Sequence, residues 1–226
     1  MPAALADLPR PAAIFLDLDG TLVDTVETRI RAWLAVFGEE GIPASREQVA
    51  ALIGSDGRRL AREVATAAGM RLGEGRDESI DARAGELYEQ LNHDPRPLPG
   101  GRELLESLDR QGIPWAIATS SRRAQVAASV AALELPHAPT VVDGSGVAHA
   151  KPAPDLLLQA AQALGVESAR SWYVGDSTWD MRAAVAAGMV PIGVTAGAAV
   201  DAEALRAAGA RITVKDLREL LAGLPD

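Results

Sequence analysis

A chain of 226 residues can bury a substantial core, as one domain or as one domain carrying a smaller insertion, and the pattern below predicts the insertion. With 48% hydrophobic and 23% charged residues it falls among ordinary globular proteins, and a net charge of −9 argues against a nucleic-acid backbone or an anionic membrane as the main partner, because both need basic patches. The absence of cysteine excludes disulfides and thiolate metal sites; neither residues 1–7 nor any later run has the make-up of a signal peptide or a membrane span, so a cytoplasmic protein is expected.

The first predicted element is a buried strand over 12–16, ended by Asp17 and Asp19 and followed by Gly20 and Thr21. In an extended chain the two acids project to one side. Burying an unpaired carboxylate costs several kcal/mol, so a metal, a cationic substrate group or shared protons are expected to compensate the pair. One acid can then attack or bind metal while the other handles a proton. The plainer alternative is a strand end turning through Gly20, with Asp19 fixing the turn.

From about 25 to 94 the chain reads as helical. Val26, Ile30, Trp33, Leu34 and Phe37 recur at helical spacing in a helix ended by Gly38 and Gly41-Ile42-Pro43, and Ser45 and Gln48 have capping-box spacing for a helix running through Leu52 and Ile53 to Gly54. A third helix covers about 57–68 and a fourth about 77–92, making a compact bundle. Pro95, Pro97, Pro99 and the pair Gly100 and Gly101 then break the chain as a linker. The expected division is an α/β core of 1–23 and 97–226 with a helical unit of 24–96 inserted.

Beyond the linker, strands and helices alternate: helix 102–110, strand 113–119, helix 122–133, strand 140–142, helix 154–164, strand 172–176, a helix ending at Gly188, strand 190–194, and two weaker units through Val214. This pace implies a doubly wound, mostly parallel sheet covered on both faces, whose ligands bind beyond the carboxyl ends of the strands. Asp17, Thr119 and Asp176 each stand at such an end.

Thr119, Ser120 and Ser121 close one strand and open a helix whose first turn holds Arg122 and Arg123, an arrangement suited to an anion or, more plainly, to a helix cap by Ser120 or Ser121. Lys151, a loop cation, precedes a helix marked by Pro152 and Pro154. Asp176 ends the strand 172–176, and Ser177 and Asp180 have capping-box spacing, which leaves Asp176 unexplained. His93, His137 and His149 share no metal-ligand spacing.

Four of these stretches together resemble the motifs of the haloacid dehalogenase superfamily, in its helical-cap branch: Asp17-Leu18-Asp19-Gly20-Thr21-Leu22-Val23-Asp24; a strand ending in Thr119; Lys151-Pro152-Ala153-Pro154-Asp155; and Gly175-Asp176-Ser177 with Asp180. The resemblance implies a phosphatase acting on a small phosphate monoester, of the phosphoglycolate or sugar phosphate type, through an aspartyl-phosphate. Asp17 is then the nucleophile, and Asp19 the general acid and later base, a role that calls for a pKa above normal. Mg²⁺ is held by Asp17, the Asp19 carbonyl and Asp176, with Asp180 orienting its water shell. Gly20, Thr119, Ser120 and Lys151 hold the phosphoryl group; Ser120 stands where the family usually has Asn.

The resemblance also makes the unit 24–96 a cap that closes over the site, with Arg58 and Arg59, in a Gly-punctuated loop, as candidate substrate contacts or, equally, as surface arginines. Dehalogenases and phosphonatases of the superfamily lack the second acid, so Asp19 points to phosphoryl transfer from oxygen. The β-phosphoglucomutases that share this cap carry a His twelve residues after the nucleophile, where this chain has Arg29. A mutase and a non-catalytic phosphometabolite-binding protein remain alternatives. The expected partner is a small phosphorylated metabolite, with no nucleic acid or membrane, and the expected state is a monomer or homodimer.

Overall fold

The apolar run before the two acids forms strand β1 (Ile14–Leu16), with every residue buried. The computed structural model describes residues 5–225; residues 1–4 and 226, expected to belong to the core unit, lie outside the described residues. A two-residue strand β2 (Val23–Asp24) follows, then helices α1 (Val26–Glu39), α2 (Arg46–Ala50), α3 (Gly57–Ala67) and α4 (Arg76–Leu91), and strand β3 (Arg96–Pro97). The remainder alternates: α5 (Gly101–Gln111), β4 (Trp115–Ala118), α6 (Arg123–Ala132), β5 (Val141–Val142), α7 (Asp155–Leu164), β6 (Trp172–Gly175), α8 (Thr178–Ala186), β7 (Val190–Val194), α9 (Ala202–Ala207), β8 (Ile212–Val214) and α10 (Leu217–Ala222).

The main sheet has the order β5-β4-β1-β6-β7-β8, and every pairing in it is parallel. β1 lies between β4 and β6, with Leu16 opposite both Ile117 and Val174. The winding changes direction at this strand, and a crevice opens at its carboxyl end. Alternation along β1 supplies two cores. Ile14 and Leu16 pack with Trp115, Ile117, Leu104, Leu108 and Leu220 under α5 and α10, whereas Phe15 packs with Tyr173, Leu157, Ala160 and Ala184 under α7 and α8.

The helical segment has a core of its own, built from Ile30, Val36, Phe37, Val49, Leu60, Val64 and Ile80. Of the two places expected to end it, helix α1 runs past Gly38 and stops at Glu39, capped by Glu40 before Gly41 with φ +65°. A mid-helix glycine costs roughly 0.5–1 kcal/mol, less than the burial of Val36 and Phe37 returns. Helix α2 is shorter than expected: it opens with the Ser45/Gln48 capping box and closes at Ala50, and a tight turn leads to Gly54. That turn has a tertiary cause, because Gly54 (φ +89°) seats on the core, where a Cβ would stand 2.5 Å from Ser177 Oγ.

β2 and β3 pair antiparallel, Val23 with Pro97 and Asp24 with Arg96, tying the entry and exit of the helical segment together. Two-residue strands carry no alternation, so their sequence gives no sign of them. The bundle also reaches the core through Arg122 and Asp81 (2.7 Å), Asn92 and Ser129 (3.1 Å), and Gly85, which packs against Gln125. Among the described residues no helix is long and apolar enough to cross a membrane.

Candidate active site

A cavity of about 480 Å³ opens between the bundle and the carboxyl ends of β1 and β4. Asp17, Asp19, Thr119, Ser120, Ser121 and Lys151 line its core side; Arg29, Trp33, Arg58, Asp81 and Tyr88 line its bundle side. Asp17 continues β1, its N–H donating to the Val174 carbonyl at 2.9 Å.

Lys151 is buried, and its ammonium donates to Asp17 Oδ1 (3.0 Å), Tyr173 OH (2.7 Å) and Asp180 Oδ1 (2.6 Å). All three of its N–H groups are thereby used. Burial works to lower its pKa, but the charges of Asp17 and Asp180 outweigh burial and hold it above the ordinary lysine range. Tyr173 was not anticipated from sequence, although a tyrosine within a buried strand needs a partner for its hydroxyl.

Asp17, Asp176 and Asp180 each bring a carboxylate oxygen within 4.8 Å of the others. Burial, with Asp180 and Asp19 adding to it, pushes Asp17 up to about 7 against the pull of Lys151; burial with Asp180 and Asp17 likewise drives Asp176 well above the carboxylate range. Three buried acids against one buried ammonium leave two charges to compensate, which one divalent cation would do. An all-oxygen donor set suits Mg²⁺. Asp17 and Asp176 have oxygens to offer, since Lys151 engages only Oδ1 of the first and Thr21 Oγ1 donates only to Oδ1 of the second (2.9 Å). Asp180 is committed: Oδ1 accepts from Lys151 and Tyr173, Oδ2 from the Ser177 amide (3.0 Å) and hydroxyl (2.6 Å). It is also N3 of the capping box that starts α8. Gly20 (φ +78°) makes room for this cluster, as a Cβ there would meet Asp176 Oδ2 at 2.3 Å.

Asp19 differs from expectation. Oδ1 accepts from Thr25 Oγ1 (2.7 Å) and Tyr88 OH (2.9 Å), and Oδ2 from Ser121 Oγ (2.6 Å) and Arg29 Nη2 (2.7 Å). Burial favours the neutral acid, but the Arg29 charge and the bonds from Arg29, Ser121 and Thr25 outweigh it, and the carboxyl lies below its ordinary range. The raised pKa expected of a general acid is therefore absent in this state. Arg29, Tyr88, Thr25 and Ser121 were not anticipated as partners of Asp19. Arg29 drew notice only as a departure from His, and the other three are unremarkable residues until the fold brings them together.

The helix cap expected of Ser120 or Ser121 is not made. α6 starts one residue later, with Arg122 at the N-cap and no side-chain cap bond. Ser121 is thereby free to donate to Asp19, and among the described residues Ser120 Oγ is the buried side-chain atom without a partner. Thr119 Oγ1 accepts from the Ser121 amide at 3.2 Å. Arg58 lines the cavity, half-exposed and 3.4 Å from Asp56, whereas Arg59 is outside the lining, paired with Glu63 and stacked 4.4 Å from the Trp179 ring.

The family model for haloacid dehalogenase-like hydrolases matches residues 14–194. A phosphoglycolate phosphatase of Pseudomonas putida is 30% identical over 226 residues, covering 96% of this chain and 80% of its own length. A β-phosphoglucomutase of Bacillus subtilis is 30% identical, covering 82% of this chain and 84% of its own. The crystal structure of a hydrolase from Pseudomonas syringae superposes with a TM-score of 0.89 at 32% identity, covering 94% of this chain and 97% of that one.

Proposed function

The chain belongs to the haloacid dehalogenase-like hydrolase family, and from that premise we propose that it is a Mg²⁺-dependent phosphatase of small phosphate monoesters working through an aspartyl-phosphate. The observation that carries the reading is Asp17 at the floor of the cavity, held on Oδ1 by the buried Lys151 and free of protein hydrogen bonds on Oδ2 among the described residues. Asp17 attacks phosphorus, the ester P–O bond breaks, and Asp19, which takes up a proton from solvent as substrate binds, gives that proton to the leaving oxygen. Asp19 then takes a proton from the water that attacks the same phosphorus, releasing phosphate and the Asp17 carboxylate. Thr119 and the unpartnered Ser120 hydroxyl bind phosphoryl oxygens, and the buried Lys151 charge, held by Asp17, Tyr173 and Asp180, stabilises the negative charge that develops.

Asp17, Asp176 and the Asp19 carbonyl would hold Mg²⁺, with Asp180 behind them. When bound, the ion neutralises the carboxylates and the phosphoryl oxygens. The bundle serves as a cap that excludes bulk water and leaves a cavity sized for a small ester, of the phosphoglycolate or sugar phosphate type.

A mutase reading has support in the relative named β-phosphoglucomutase. It would require a base near the leaving oxygen to prepare a sugar hydroxyl. The cap residue there is Arg29, a permanent cation with no acceptor lone pair, which favours hydrolysis. The deciding experiment measures phosphate release from a panel of monoesters with Mg²⁺ and with chelator, beside Asp17→Asn. Metal-dependent release that vanishes in the variant supports the proposal; conversion of glucose 1-phosphate to the 6-phosphate without release would replace it with the mutase.

A further inference from the structure

Asp19 is saturated. Four donors occupy its two oxygens, and two of them, Arg29 and Tyr88, come from the cap. For Asp19 to exchange a proton with a leaving group, one donor has to let go. The hydroxyls of Thr25, at the N-cap of α1, and Ser121, in the core unit, are neutral, and nothing in a phosphate ester competes for them in particular. A guanidinium is different, because a second anion in the cavity competes for it directly.

Arg29 is placed for that exchange. Its guanidinium carbon sits over the Tyr88 ring, 3.8 Å from the centroid, and its Nη2 donates to both Asp19 and Ser121. Its Nε–H and Nη1 donors have no hydrogen-bond partner among the described residues, although the side chain is only 15% exposed. The other two cavity arginines already have partners: Arg58 with Asp56, and Arg122 with Asp81. Both are half-exposed, and neither touches Asp19. The cation with unused donors thus stands beside the group that serves the scissile oxygen.

We propose that Arg29 is a specificity residue, selecting phosphate monoesters whose leaving group carries a carboxylate on the carbon next to the ester oxygen. That carboxylate takes the guanidinium from Asp19 and opens Asp19 Oδ2 to the leaving oxygen. The inference rests on the phosphatase reading above. A neutral leaving group of the same size leaves Arg29 on Asp19 and the acid still occupied, so it is turned over slowly. Tyr88 guides the exchange, since the guanidinium can slide over the ring without losing its stacking contact.

The test compares kcat/KM, with Mg²⁺, for 2-phosphoglycolate and for its neutral counterpart 2-hydroxyethyl phosphate, in the wild-type protein, Arg29→Met and Arg29→Lys. A charge-assisted contact predicts a wild-type preference of about 30-fold or more for the carboxylate ester. In Arg29→Met the preference falls to within about 3-fold, and Arg29→Lys, a point charge without the fork, lies between. A role for Arg29 in positioning Asp19 alone would alter both esters alike, whereas recognition of the carboxylate moves their ratio. Should Arg29→Met fail to fold, the wild-type protein still decides: 3-phosphonopropionate must inhibit about tenfold better than 3-hydroxypropylphosphonate. Equal wild-type rates, or a preference that persists in Arg29→Met, overturn the inference. If p-nitrophenyl phosphate is then still hydrolysed with Mg²⁺, the phosphatase reading survives; no metal-dependent release from any ester ends both.

Discussion

Removing divalent metal should make this protein lose stability as pH rises from 5 to 8. Asp17 carries the largest part of the expectation, because burial lifts its carboxyl from 3.8 to about 7 in the folded chain. An acid whose folded pKa is raised contributes stability that is complete below its unfolded value and is lost as pH climbs through the folded one. About two of those pKa units lie between pH 5 and the folded value and correspond to roughly 3 kcal/mol, an upper bound for a site shared with Asp176 and Asp180. For a chain of this length that is on the order of 10 °C in Tm. Asp176, also raised, acts in the same direction, whereas the lowered Asp19 adds stability that is lost only in acid, below this window. The assay is a thermal melt in EDTA and in MgCl₂ at several pH values, beside Asp17→Asn. Three outcomes are expected: a falling Tm in EDTA, a flat profile with Mg²⁺, and a shallower fall in Asp17→Asn, which at pH 8 without metal should melt above the wild type. Equal slopes in the two proteins, or a wild-type Tm rising from pH 5 to 8 in EDTA, would refute the claim that these carboxylates are undercompensated without metal.

Asp19→Asn should lower kcat by about 10³-fold while Asp17 still becomes phosphorylated by an activated ester, seen as a burst in rapid-quench traces; a fall of less than tenfold would remove Asp19 from proton transfer. Ser120→Ala deletes a buried hydroxyl that has no partner, so the unliganded protein should melt no lower than wild type, and inorganic phosphate should inhibit about 5–10-fold less well. Gly54→Ala puts a Cβ 2.5 Å from Ser177 Oγ at a φ of +89°, so the helical bundle cannot seat on the core. KM should rise about tenfold, with Tm falling only a few degrees because the bundle keeps its own core, and an unchanged KM would count against closure.

What the sequence determined alone was everything that rests on local rules. Apolar strands ending in Asp17, Thr119 and Asp176, with helices between them, are enough to require a parallel sheet with those residues at one edge. The Ser45 and Ser177 capping boxes are legible because the residues that satisfy one another are three apart. The tertiary structure decided whatever depends on partners distant in the chain. The strands β2 and β3 exist only as a pair, and α2 ends early because Gly54 has to meet Ser177. Ser121 turned out to be a donor to Asp19, 102 residues away, and no local pattern could have told this from a helix cap. Likewise the protonation state of Asp19 follows from Arg29, Tyr88, Thr25 and Ser121 converging on it from the helical bundle and the core. Charge balance within a buried cluster is a sum over neighbours in space, and spacing along the chain does not contain that sum.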